Sequence, residues 1–415
     1  MPFANAAPRA LAPTILLILA CVPAAAAAAE TVTLPAEAPA RRTAALQEIW
    51  RLGGDNEDDP LLGLVTAGAI DDQGNVYLVD RQLSQVLVIG PDGELVTTLG
   101  REGDGPGEMR RPHGVFVTAT GIGVVQGFPG KVIYLAADGT PAGEARIGGD
   151  AGQGGFHFLR QMYRVGDHLV GATGRGAFDM EKGTSTTTSS IGVMDLQGAF
   201  QATFAEHVQE QNFQNFTFDE AANWAEYSAW CAADGGLVFS AAARDRWAVN
   251  VRDLAGNLVR TYERPFSPRE RDAEDKAEVG SDMRIVMNGR RVVPEVKALD
   301  RDQAIMNLNA ASDGRLFVTS CWDVRARLGT GTAARYDVVS PDGKLVEQLT
   351  LTFPGFDPDQ DGLLWLDGTR FLVIRNLEAV QAAEDAGDDG AAPAEEPADL
   401  GDVEPLEVVL VKLAG

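Results

Sequence analysis

The chain has 415 residues, 45% of them hydrophobic, enough for a large core and about one to three ordinary domains. Its formal net charge of −25 argues against nucleic acid and anionic membrane surfaces as partners. Its 46 glycines and 21 prolines, with many Asp-Gly pairs, suit an all-β chain of tight turns.

Residues 1–29 read as a secretory signal: Arg9 supplies the positive charge, residues 15–20 the apolar core, and residues 27–29 an alanine cleavage site. Ile18-Leu-Ala-Cys21 also resembles a bacterial lipobox, which would leave a lipidated Cys21 at the new N-terminus. No other run is long and apolar enough to span a bilayer. The chain is therefore expected to be exported, periplasmic or extracellular, as a soluble protein or as an outer-membrane-anchored lipoprotein. Residues 30–43, rich in Pro and Ala, predict a disordered linker. Leu46-Gln-Glu-Ile-Trp-Arg-Leu52 predicts an isolated strand with no hairpin partner nearby.

A pattern then recurs: strand, Gly turn, strand, polar loop, strand, Gly turn, strand. The first turns are Asp72-Gln-Gly74, Thr120-Gly121, Val165-Gly166, Asp234-Gly235, Asp313-Gly314 and Asp367-Gly368. The second turns are Asp92-Gly93, Asp138-Gly139, Gln197-Gly198, Ala255-Gly256 and Asp342-Gly343. Four strands per repeat is a propeller blade. The last repeat ends at Leu406-Glu-Val-Val-Leu-Val-Lys-Leu413, a third strand without a fourth, and Leu46–Leu52 can supply the missing one. The expected fold is all-β: a six-bladed β-propeller of four-stranded antiparallel blades over residues 44–415, closed by the N-terminal strand. The blades fall at about 64–100, 112–148, 157–205, 224–264, 303–353 and 360–413.

Between the first two repeats lies a glycine-rich crossing, with Leu99-Gly100, Gly103-x-Gly105-x-Gly107-Glu108 and Pro112-x-Gly114-Val115 in order. It resembles the inter-blade junction of NHL-repeat β-propellers, and Gly74-Asn-Val-Tyr-Leu-Val-Asp80 resembles their second blade strand. Met109 stands where that family usually has Phe, and the likeness covers about residues 64–118. A phosphate-cradling loop is the rival reading, but the spacing is neither G-x-G-x-x-G nor a P-loop.

Two insertions break the repeat. In 265–302, Ser267-Pro-Arg-Glu270 predicts a capping box and a short helix to about Val279. Residues 378–405 carry ten acidic and no basic side chains and predict a disordered acidic loop in the last blade.

Candidate chemistry is sparse. His113 and His157 occupy near-equivalent positions at inner-strand starts, while His168 and His207 lie elsewhere, and no third ligand completes a set. No Gly-x-Ser-x-Gly elbow appears. Asp357-Pro-Asp359-Gln-Asp361-Gly362 matches the first half of a calcium loop and then departs from it, so Asp357, Asp359 and Asp361 are candidate calcium ligands. Trp224, Tyr227 and Trp230 form an aromatic cluster leading into a blade, and Asn212, Phe213, Asn215, Phe216 and Phe218 form a candidate lid. Cys231 and Cys321 lie toward opposite ends of the ring axis and predict two free, buried thiols.

Arg81, Arg175, Arg244 and Arg375 all fall at or just past the ends of second strands, and Arg111 precedes an inner strand on the same face. Together with His113 and Tyr227 they form a candidate ligand-binding mouth for an anionic small molecule or an acidic peptide. The alternative for each arginine is local pairing. The expected function is an exported, non-enzymatic binding or scaffold propeller that engages an unidentified small molecule or protein at one mouth of the channel. The alternative is a lactonase-like or lyase-like enzyme acting there, since propeller lyases and hydrolases place polar ligands at inner-strand starts.

Overall fold

The computed structural model describes residues 29–147, 156–212, 216–280, 285–287, 290–292, 294–387 and 404–414. Residues 1–28 of the signal segment, Cys21 among them, therefore lie outside the described residues. Alternating sequence becomes antiparallel sheet. In the 65–99 sheet, Val65–Ile70, Val76–Asp80, Gln85–Ile89 and Leu95–Leu99 pair in order. Val76–Asp80 is buried along its whole length because sheets pack on both of its faces, whereas most of Leu95–Leu99 is exposed. Gly74 and Gly93 take φ of +89° and +91° at the two hairpin turns, which favours glycine.

The same strand order recurs in the 112–146, 156–212, 230–263 and 305–352 sheets. In the 362–413 sheet, Gly362–Trp365, Arg370–Arg375 and Glu407–Leu413 supply three strands. The fourth is Arg41–Gly53, which changes partner along its length. Residues 46–53 pair antiparallel with 407–413, and residues 41–45 pair in parallel with 348–352 of the neighbouring sheet.

Apolar side chains fill the space between successive sheets. Val79, Met109 and Ile133 pack between the 65–99 and 112–146 sheets. Phe239, Trp247 and Val318 do so between 230–263 and 305–352. Trp50, Leu78, Leu372 and Val408 join the C-terminal sheet back to the first. The sheets thus close into a ring about a central cavity, a β-propeller architecture. No helix among the described residues is long and apolar enough to cross a membrane.

Several expectations are corrected. Residues 30–43 are not a disordered linker: Glu30–Thr33 adds in parallel to the outer edge of Leu258–Glu263, and Leu34 is buried. An open sheet edge offers unpaired backbone groups, and this segment satisfies them. The short helix in 265–302 is Ala273–Glu278, capped by Asp272 with Asp275 closing the box, rather than by Ser267 and Glu270. Residues 377–387 form a helix, so the acidic loop is not disordered from its start; 388–403 lie outside the described residues. In the glycine crossing, the Gly105 N–H and Arg101 Nε each donate to the Glu108 carboxylate at 2.8 Å. The loop therefore holds an anion of its own chain. Cys231 and Cys321 are free and buried.

Candidate functional site

The inner strands Val65–Ile70, Pro112–Thr118, Phe156–Val165, Trp230–Ala233, Ile305–Ala310 and Gly362–Trp365 line a central cavity of about 1280 Å³. Small side chains such as Ala69, Ala232 and Ala310 keep it open. Its rim at the first turns carries Asp71 and Asp367. Burial alone would raise the pKa of Asp71, but hydrogen bonds from Asn75, Gln73 and Tyr77 outweigh it and hold the pKa below the usual value. Asp367 is held low in the same way by Thr369 and Arg370.

Two guanidinium groups in the cavity wall have no such partner. Arg160 and Arg164 both line the cavity from Phe156–Val165, and neither forms an ion pair among the described residues. A register shift between Leu159 and Gln161 marks a bulge at Arg160, and bulges re-aim side chains. The Arg160 guanidinium lies 5.4 Å from the centroid of the Tyr227 ring. Tyr227 stacks on Trp224 at 5.6 Å, and Trp224 stacks on His207 at 6.0 Å. This column holds Arg160 at the channel by cation–π attraction without supplying a countercharge.

His113 also lines the cavity. Its Nε2 is 3.1 Å from the Arg160 carbonyl, which can only accept, so Nε2 carries the proton. Burial pushes the His113 pKa down, against the hydrogen bond to the Arg160 carbonyl and with a smaller contribution from Arg81. Burial also lowers the pKa of His157, with Arg175 adding to it.

Of the five arginines of the predicted mouth, Arg81 and Arg111 are brought together, and four of the five face a carboxylate of the chain. Arg81 and Arg111 both face Glu384 of the 377–387 helix. Arg375 pairs with Asp361 and donates to the carbonyls of Gly355 and Pro354. Arg244 pairs with Glu220, which Arg271 also binds at 2.7 Å. Arg175 is exposed, opposite His157 in the sheet register. Four of the five thus face a carboxylate, but among the described residues none pairs with an acidic neighbour in sequence such as Asp80 or Asp245. Tyr227 is buried and backs Arg160.

The three aspartates do not converge on a cation. Asp361 accepts from Arg375, from the Asp357 N–H at 2.9 Å and from the Asn376 N–H at 3.2 Å. Asp357 accepts from the Asp359 N–H at 3.0 Å. Among the described residues no group of three or more metal-ligating side chains is placed to hold an ion. Of the candidate lid, residues 213–215 lie outside the described residues, and Thr217–Asp219 pairs in parallel with Glu295–Lys297.

Sequence reasoning missed Arg160 and Arg164. Both are plainly inside an inner strand, but counting from turn glycines selects strand ends and passes over a bulge.

No protein-family model matches the chain, and no curated protein matches it. Among solved structures, the chain is similar to a member of the DUF4221 family from Bacteroides vulgatus, at 10% identity and a TM-score of 0.46, covering 89% of this chain and 98% of that one. It is similar to virginiamycin B lyase from Staphylococcus aureus at 10% identity and a TM-score of 0.38, covering 89% and 99%. It is also similar to regucalcin, a calcium-binding protein from Agrobacterium tumefaciens, at 11% identity and a TM-score of 0.38, covering 90% and 96%.

Proposed function

We propose that this chain is an exported, six-bladed propeller of the NHL-repeat type that binds a small anionic molecule in its central channel without acting on it chemically. The observation that carries this reading is the pair Arg160 and Arg164. Two arginines without a carboxylate partner among the described residues line the cavity of a chain whose net charge is −25. Asp71, Asp367 and Arg370, which also line the cavity, are committed to local partners. Arginine offers a planar fork that suits carboxylate, sulfate or phosphate.

The test is calorimetric titration of the full mature chain with citrate, inorganic phosphate and sulfate at low ionic strength. Binding of at least one is expected, and Arg160→Ala/Arg164→Ala should weaken it at least tenfold while the thermal midpoint holds. No binding of any of the three, or binding that survives loss of both arginines, would overturn the reading.

A further inference from the structure

At the end of the ring opposite the first turns, two arginines meet a carboxylate of the chain itself. Arg81 follows the strand Val76–Asp80, and Arg111 precedes the strand Pro112–Thr118, so two neighbouring sheets deliver guanidinium groups to one place. Glu384 lies between them. Its Oε1 is 3.0 Å from Arg111 Nη2 and 4.0 Å from Arg81 Nε. The Glu384 side chain is 10% exposed, and its Oε2 is buried with no hydrogen-bond partner. A carboxylate engaged through one oxygen, with the other desolvated and unpaired, fills this site incompletely, because the fork of an arginine binds best when both oxygens are used.

The arginine half of the site has its own support. Arg111 sits at φ +46°, and its N–H donates to Ser84 Oγ at 3.1 Å; Ser84 is itself buried and at φ +51°. Non-glycine residues hold such conformations where their surroundings impose them. The loop below therefore aims Arg111 independently of Glu384. The occupant is anchored at the other end of its helix. Val380 is buried in the core, and Glu378 pairs with Arg325. Glu384 belongs to a stretch, 378–405, with ten acidic and no basic side chains.

We infer that the Arg81–Arg111 pair is a carboxylate-binding site for an acidic peptide, and that Glu384 is its built-in occupant, which an incoming acidic segment must displace. The inference stands apart from the channel reading, since it uses neither Arg160 nor Arg164. An intramolecular occupant competes at a high effective concentration, so removing its charge should raise the apparent affinity for an external one. The experiment is fluorescence anisotropy of fluorescein-labelled hexaglutamate with the full mature chain. Glu384→Gln should bind the probe at least tenfold more tightly than the natural protein, and adding Arg81→Ala/Arg111→Ala to Glu384→Gln should abolish the gain. Equal binding by Glu384→Gln and the natural protein would overturn the inference. So would a gain that persists without the two arginines. If Glu384→Gln unfolds the chain, Arg81→Ala/Arg111→Ala in the natural background decides: loss of the weak probe binding supports the site, and unchanged binding overturns it.

Discussion

Truncating Trp50 tests ring closure most directly. Trp50 is 6% exposed and packs with Leu52, Leu64, Val76, Leu410 and their neighbours, where the N-terminal strand bridges the C-terminal sheet and the first. Its side chain also lies against the second turn of the 65–99 sheet: a Cβ added at Gly93 would come within 2.8 Å of Trp50 Cβ. Replacing a buried Trp by Ala costs about 3–5 kcal/mol. The Trp50 indole N–H is buried without a partner, so removing it returns about 1 kcal/mol. Trp50→Ala should therefore lose about 2–4 kcal/mol, a drop in thermal midpoint of about 4–8 °C at roughly 2 °C per kcal/mol for a large domain. Trp50→Phe keeps most of the apolar contact and removes the unpaired N–H, so it should stay within about 1.5 kcal/mol of the natural protein. Deleting 44–52 removes Leu46, Trp50 and Leu52 together and should unfold the domain, since the summed loss of about 7–15 kcal/mol matches the stability of a typical protein. Far-UV circular dichroism during urea and thermal unfolding reads all three. A Trp50→Ala midpoint within 1 °C (about 0.5 kcal/mol) of the natural protein, or a deletion that melts normally, would refute closure by this strand.

Asp337 and Arg264 form a buried ion pair at 2.9 Å. Burial pushes the Asp337 carboxyl up to about 6 against the pull of Arg264. The folded state then binds a proton between about pH 4 and 6 that the unfolded chain has already released, so this group's contribution falls as pH rises through that window. Asp337→Asn lacks the slope, and its unfolding free energy relative to the natural protein should rise by about 2.4 kcal/mol from pH 4 to 7; parallel pH profiles would refute this. In the aspartate loop, Asp361→Ala strips the partner from Arg375 and should cost about 3–5 kcal/mol by urea titration. Chelator should leave the natural midpoint in place, and a chelator-induced drop absent from Asp361→Ala would restore a calcium role.

Much of the fold is written locally. Gly74 and Gly93, and the glycines of Asp138-Gly139, Asp313-Gly314, Asp342-Gly343 and Asp367-Gly368, mark turns because φ near +90° is inexpensive for glycine. Strand alternation between those turns needs no knowledge of the partner sheet. The unpaired third strand at 407–413 and the orphan strand near Trp50 also point to each other, since each lacks a local neighbour. What tertiary structure alone decided is where distant segments meet. Residues 30–34 become ordered because the outer edge of 258–263 accepts them, more than two hundred residues away. The 377–387 helix is composed of residues that look solvated, yet Leu377 and Val380 reach a core assembled from both ends of the chain. The same holds for charge. Arg81, Arg111, Arg244 and Arg375 look like a binding cluster in sequence, but Glu384, Glu220 and Asp361 neutralise them in space. Arg160 and Arg164, unremarkable within a strand, are the cavity arginines left without a carboxylate among the described residues. Backbone conformation depends on neighbours in sequence, whereas compensation of charge depends on distance, which folding sets.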